Sequence, residues 1–260
     1  MNQVDSNSGT MYQVPALEVR GVSKYFDGAD SPVIEDLSFS IKPGQICAII
    51  GPSGGGKSVL LKILGGVLHP ERGDVLVEGS SLLLNPTLSA RVSLMFQEGA
   101  LFDSMTVFEN VAFPFSKAGS SFFSLSVNER EKVSQRVSDI ISYLGLSKAA
   151  SKYPAQLSGG MRRRASLARA LVTKPDILLL DDPTSGLDPV ASSVIMKLIA
   201  ELCSEYRPTT LVVSHDLRRL LPISERTLFL QDGKIVFDGL PGQLLRASGR
   251  VESFVRCRFC

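Results

Sequence analysis

The chain has no tryptophan and only two histidines and four cysteines, few for a disulfide scaffold and not spaced as the paired ligands of a zinc cage. Cys257 and Cys260 form a C-x-x-C near the C-terminal end, but no second ligand pair accompanies them, and His69 and His215 lie far away in sequence. Cys47 falls in an apolar run and Cys203 ends a predicted helix, so both read as buried thiols of a reducing compartment. Neither sign of charge dominates: 28 basic and 26 acidic residues leave a formal charge of +2, which gives no argument for a nucleic-acid partner. No apolar run approaches the ~20 residues that span a bilayer. The polar stretch from Met1 to Thr10 lacks the apolar core of a secretory signal, and residues 1–14 read as a flexible leader. Internal repeats and low-complexity segments are missing too. What is left is 260 residues, 44% of them hydrophobic, enough to build a sizeable core.

The pattern of that core is α/β. Pro15 to Phe26 and Ile34 to Ile41 alternate as antiparallel strands do. Ile46 to Ile50 reads as a buried strand, Val59 to Leu64 as a helix, Glu71 to Asp74 as a turn, and Val75 to Gly79 and Val92 to Phe96 as strands. From 99 to 172 the signals turn helical. Val133, Val137, Ile140, Ile141 and Leu144 share one helical face, Ser126 and Glu129 form a capping box before it, and Gly145 ends it. A second helix is predicted from Gly160 to Val172. Buried strands then return at Ile177–Leu180 and Thr210–Val213, with a helix opened by Pro189 between them and short strands near 227–230 and 234–237.

Gly51 to Ser58 fits G-x-x-x-x-G-K-[ST] between a strand and a helix, the setting in which a glycine loop wraps a nucleoside triphosphate. The loop of Gly51, Pro52, Ser53, Gly54, Gly55 and Gly56 can bring backbone N–H groups, from every residue but Pro52, close to phosphate oxygens, Lys57 reaches the β- and γ-phosphates, and the Ser58 hydroxyl can ligate Mg²⁺. Such chemistry needs a carboxylate at the end of a neighbouring buried strand. Asp181 follows four apolar residues and fits the metal side, and Asp182 fits polarisation of an attacking water. Gln97 and His215 also end strands, where ligands bind in α/β sheets. Taken singly, each would read as solvated or structural. Ser158, Gly159 and Gly160 open a helix rich in arginine and form a second anion-binding nest. One chain rarely needs two nests for one phosphate. A head-to-tail dimer does, each nest capping the phosphate held by the other copy.

In the order of these motifs the chain resembles the ABC transporter ATPase family over roughly residues 15 to 240: the phosphate loop, Gln97, Leu157 to Gly160, Asp181 and Asp182, the loop Ser185 to Asp188, and His215. The resemblance implies a P-loop NTPase (RecA-like) core over 15–98 and 173–240, with an antiparallel β subdomain, an inserted α-helical signature subdomain over 99–172, and a tail over 241–260. It implies ATP and Mg²⁺ as cofactors, Tyr25 stacked on adenine with Phe26 as the alternative, metal held by Ser58, Gln97 and Asp181, and catalysis by Asp182, His215, Gln97 and Lys57. The stretch from Phe96 to Pro114, notably Phe102, Asp103, Ser104 and Phe113, together with Gly159 to Arg164, is similar to the ATPase of the Mla (MCE-type) phospholipid transport systems of bacteria. That likeness implies an integral membrane permease docked on 99–114, a small accessory subunit, an MCE-type periplasmic lipid-binding subunit, and a peripheral position on the cytoplasmic face of the inner membrane. An importer of amino acids or another solute would carry the same ATP chemistry. A soluble ABC ATPase of repair or translation usually has two cassettes or a coiled-coil insertion, which are not seen here. The Ser-Gly-Gly nest speaks against a kinase. The family usually has Glu where this chain has Asp182, and slower hydrolysis is expected from the shorter arm.

Overall fold

The computed structural model describes residues 14–116, apart from 27, 29 and 30, and residues 126–259, apart from 245 and 248. The N-terminal leader expected over 1–14 lies outside it except for Val14, as does Cys260.

Two sheets stack over a shared core. The first is antiparallel, in the order β2-β1-β4-β5, from β1 (Leu17–Lys24), β2 (Ile34–Ile41), β4 (Arg72–Val77) and β5 (Ser80–Ser81). The second has the order β10-β9-β3-β8-β7-β6, from β3 (Ile46–Ile50), β6 (Val92–Met95), β7 (Ile177–Asp181), β8 (Thr209–Val213), β9 (Arg226–Gln231) and β10 (Lys234–Gly239). Its strands run parallel except β10, which pairs antiparallel with β9. The turn predicted at Glu71 to Asp74 is corrected: β4 begins at Arg72, because Arg72 and Asp74 pair with Ser23 and Arg20 of β1. Exposed Arg72 and Gly73, the latter at φ 81° beside a register shift in the β1–β4 ladder, hid the start of this strand.

Why β3, β7 and β8 read as continuous apolar runs is plain from their neighbours. Alternate residues serve opposite cores: Ala48, Ile50, Leu178, Leu180 and Val212 face one, while Cys47, Ile49, Leu179, Leu211 and Val213 face the other. The second core is closed by α1 (Lys57–Leu64) and the antiparallel sheet. The first is closed by α4 (Gly159–Leu171) and α5 (Pro189–Tyr206). Every residue of β7 is buried, and each of its leucines contributes about 2 kcal/mol by leaving water.

Between β6 and β7 the chain runs through α2 (Val107–Ala112), α3 (Val127–Tyr143) and α4. Ser126 and Glu129 exchange side-chain and backbone hydrogen bonds at the start of α3, and Gly145, at φ 66°, follows its end. The helix predicted to end at Cys203 extends to Tyr206, where Arg207 in the left-handed region terminates it. After β8 come α6 (Leu217–Leu220) and, past β10, α7 (Pro241–Leu244) and α8 (Arg250–Phe259). The tail packs on the core: Leu244, Val251 and Val255 are buried, and Phe254 meets Phe229 edge to face with ring centroids 5.0 Å apart. Among the described residues no helix is long and apolar enough to cross a membrane.

Candidate active site

Sheet register builds the site. Ile49 and Asp181 both pair with Val213, on opposite sides of β8, and Met95 pairs with Leu180. The C-terminal ends of β3, β8, β7 and β6 are therefore level. The residues that follow them, Gly51, Ser214, Asp182 and Gln97, emerge at one edge of the sheet.

The phosphate loop leaves β3 at Gly51, where only glycine fits: its φ is 149° and a Cβ would stand 2.0 Å from the Leu230 carbonyl oxygen. Gly56 is similarly confined by the Val33 carbonyl and Ile34, 2.7 Å from where its Cβ would be. The β1–β2 connection thus abuts the loop. Gly56 occupies the N-cap position of α1 and no side chain caps that helix, so its first-turn N–H groups are directed at whatever fills the loop. Around Gly54 there is open space within 4 Å. The ammonium of Lys57 is buried and donates to the carbonyls of Gly51 (3.0 Å) and Pro52 (2.7 Å), a cradle of oxygens that phosphate oxygens can replace.

Across the loop, the Ser58 hydroxyl donates to Asp181 Oδ1 at 3.0 Å. Burial pushes the Asp181 carboxyl above its usual range. The Ser58 hydrogen bond opposes this, the charge of Asp182 adds to it, and Lys62 and Lys57 pull it down again. A hard-oxygen pair that destabilises its own negative charge fits a divalent cation. Among the described residues there is no cluster of three or more His, Cys, Asp or Glu side chains placed to hold a metal ion.

Asp182 is buried and sits at φ 41°, in the left-handed region that aspartate tolerates better than most residues. Its N–H donates to Val213 O at 2.9 Å, and the Ser214 hydroxyl donates to its Oδ1 at 3.2 Å. Ser214 in turn accepts from the N–H of Asp216. Asp182, Ser185, His215 and Ser53 line one cleft. Gln97 donates to the Ser185 hydroxyl at 3.4 Å. Asp188 caps α5, accepting from the N–H groups of Val190 and Ala191.

Ser214 and Arg163 were not singled out from the sequence. Arg163 donates to the Ser185 carbonyl at 2.8 Å, tying the helix that starts at Ser158 to the loop after Asp182. Burial lowers its pKa while Asp182 draws it back up. Its Nη1 is shielded from water without a hydrogen-bond partner among the described residues. Only its place in an arginine run signalled it, and the run does not say which arginine turns inward.

Two predicted groups stay apart from this cluster. Ser158 is exposed and caps α4 itself, accepting from Met161 N–H at 3.3 Å, while Gly159 and Gly160 lie beside Leu187 and Ala191. No hydrogen bond among the described residues joins Ser158, Gly159 or Gly160 to the phosphate loop. Tyr25 and Phe26 are both exposed after β1; the Tyr25 N–H donates to Glu71, and the Lys24 ammonium lies 5.4 Å from the Phe26 ring centroid.

Such a loop, with a serine–aspartate pair across it and a second acid beside a histidine, defines a P-loop nucleoside triphosphatase. Comparison with known proteins narrows the class. The family model described as ABC transporter matches residues 34–185. Over 246 residues the chain is 37% identical to the intermembrane phospholipid transport system ATP-binding protein MlaF of Haemophilus influenzae, covering 92% of this chain and 90% of that one. It is 38% identical over 225 residues to the spermidine/putrescine import ATP-binding protein PotA of Thermotoga maritima, covering 86% of this chain and 58% of that protein. In fold it is similar to the dimeric post-hydrolysis state of the ATP-binding cassette MJ0796 bound to ADP and Pi, with TM-score 0.75 and 30% identity over 86% of this chain and 98% of that one. The chain belongs to the ABC transporter family, as its ATP-binding, ATP-hydrolysing subunit.

Proposed function

We propose that two copies of this chain close head to tail on two ATP molecules and drive a membrane permease that moves phospholipid between the inner and outer membranes. The observation that carries the catalytic part is the Ser58–Asp181 hydrogen bond, which links the phosphate-loop helix to the end of β7. Gly51 to Ser58 hold the phosphates, and Lys57 leaves its loop carbonyls to meet the β- and γ-phosphates. Ser58, Asp181 and Gln97 would hold Mg²⁺, which when bound neutralises charge developing on the phosphates. Asp182 accepts a proton from the attacking water, held by Ser214, while His215 faces the γ-phosphate from the same cleft. Tyr25 stacks on adenine, since the face of Phe26 is engaged by Lys24. Ser158, Gly159 and Gly160 complete the site of the opposed copy, and the exposure of Ser158 supports that reading.

The permease would dock on 99–114. Asn110, fully buried, donates to the carbonyls of Phe102, Met105 and Thr106 and accepts from the Phe102 N–H, fixing the loop before α2. Arg169 donates to the carbonyls of Gly99 and Ala100. This frame presents Phe102 and Phe113, each 40% exposed, with ring centroids 4.6 Å apart. A paired aromatic face held from behind suits an inserted helix. Phospholipid as cargo rests on the 102–114 segment and on the likeness to MlaF. With it go the proposed small accessory subunit, an MCE-type periplasmic lipid-binding subunit, the cytoplasmic face of the inner membrane as location, and no nucleic-acid partner.

Purification in mild detergent tests the proposal. An integral membrane subunit and co-isolated phospholipid are expected, lost together in Phe102→Glu. Stimulation of the purified complex by an amino acid or polyamine, without phospholipid, would assign it instead to solute import.

A further inference from the structure

At the edge of the large sheet opposite the phosphate loop, a cavity of about 460 Å³ opens where the antiparallel sheet, α3 and the N-terminal ends of β7 and β8 meet. It is more enclosed than the cleft that holds Asp182 and His215. Its volume lies within the range of small-molecule sites. The floor is apolar, from Val77, Ile140, Leu171 and Ile177, all buried or half-buried.

The rim is charged, and its charges are unequally engaged. Arg91 bonds both Glu78 (2.8 Å) and Asp176 (2.6 Å), and that double pairing holds its guanidinium well above the usual range. Asp139 accepts from Gln135 at 2.8 Å. Arg136, Lys174 and Arg207 also line the cavity, and no ion pair among the described residues involves any of them. Lys174 lies over the Tyr206 ring at 5.4 Å, and Arg136 over Phe115 at 5.8 Å. Arg136 Nε is shielded from water and has no hydrogen-bond partner among the described residues. Three cations over an apolar floor, flanked by the rings of Tyr143 and Tyr206, match a ligand with one anionic end and an apolar body.

We propose that this cavity binds a small amphipathic organic anion. The carboxylate, sulfonate or phosphate would lie on Arg136, Lys174 and Arg207, and the hydrocarbon or aromatic part on the floor. The walls belong to α3 on one side and to the core sheet on the other, so an occupant fixes the helical block against the core. Coupling to hydrolysis rests on the proposed function; binding itself does not.

The probe is 8-anilinonaphthalene-1-sulfonate, titrated into the full-length, nucleotide-free chain with decanoate as competitor. One saturable site per chain is expected, displaced by decanoate and weakened about tenfold by Lys174→Glu or Arg136→Gln. Phe102→Ala, which alters the exposed aromatic pair elsewhere, should leave it unchanged. Lys174 is exposed in the loop before β7, so its substitution spares the core, and circular dichroism confirms the fold of each variant. Absence of saturable binding overturns the proposal, as does binding equal in parent and both charge variants. Loss of binding in Phe102→Ala alone, or capture of a polypeptide on this surface without anion uptake, also counts against it. ATPase activity of ligand-free Lys174→Glu, expected at the parental rate, separates failure of this site from failure of the hydrolytic reading.

Discussion

Helices α1 and α4 both have glycine at their N-terminal ends, Gly56 as the N-cap of α1 and Gly159 as the first residue of α4, yet their first turns are satisfied in different ways. No side chain caps α1, and Gly51 and Gly56 before it are wedged against Leu230 and Val33 so tightly that no side chain could replace them. By contrast α4 is capped by its own exposed Ser158 and has room around Gly160, whose Cβ would meet Ala191 only at 3.7 Å. An uncapped N-terminus inside a rigid loop is made for a ligand the chain holds alone. A self-capped, exposed one is stable without the ligand and can lend its dipole to something brought from outside. Under the proposed closure, the two ends would divide one phosphate-binding task between two copies.

The sharpest break of the first half is Asp182→Asn. It should cut turnover at least about a hundredfold while leaving ATP binding intact, as measured by steady-state hydrolysis and by equilibrium nucleotide binding. Loss of binding in parallel would mean that Asp182 builds the loop instead of serving the water. Ser214→Ala removes the hydroxyl that holds this carboxylate and should lower kcat about fivefold with KM unchanged. The loss should shrink in the Asp182→Glu background, where the longer arm no longer sits on Ser214. Asp182→Glu alone is expected to raise turnover about threefold. The left-handed backbone at 182 limits the gain, and a fall in rate would show that this conformation requires aspartate.

Smallest is a stability effect. The folded Asp181 carboxyl titrates above its unfolded value of 3.8 because it is buried. The folded state therefore binds the proton more tightly, and stability is lost as pH rises from that unfolded value through the folded one. Asp181→Asn should raise the melting temperature of the nucleotide-free chain by roughly 2 °C at neutral pH. The gain should fade below the usual carboxylate range. A gain independent of pH would point to packing, not charge.

Much of this was legible in the sequence because each signal was local. Strand, glycine loop, Lys57 and Ser58 are contiguous, and the four apolar residues before Asp181 announce a buried strand. The capping box at Ser126 and Glu129 was read from three-residue spacing. What was not legible depends on the fold. Ser214 meets Asp182 only because β7 and β8 pair in register, and Arg163 turns inward only because α4 packs beside the loop after Asp182. The exposed Arg72 and Gly73 hid the start of a strand because the ladder with β1 shifts register there. The cavity under α3 draws on segments from Ala16 to Thr209, a convergence no local pattern announces.

The division of labour between α1 and α4 is tested most directly by mixing two inactive chains, Lys57→Ala and Ser158→Arg. If each site joins the phosphate loop of one copy to Ser158 of the other, mixed dimers regain one intact site. A one-to-one mixture should then recover about a quarter of the parental ATPase rate, from random assortment into two-fold dimers. Activity no greater than that of the separate variants would contradict the account.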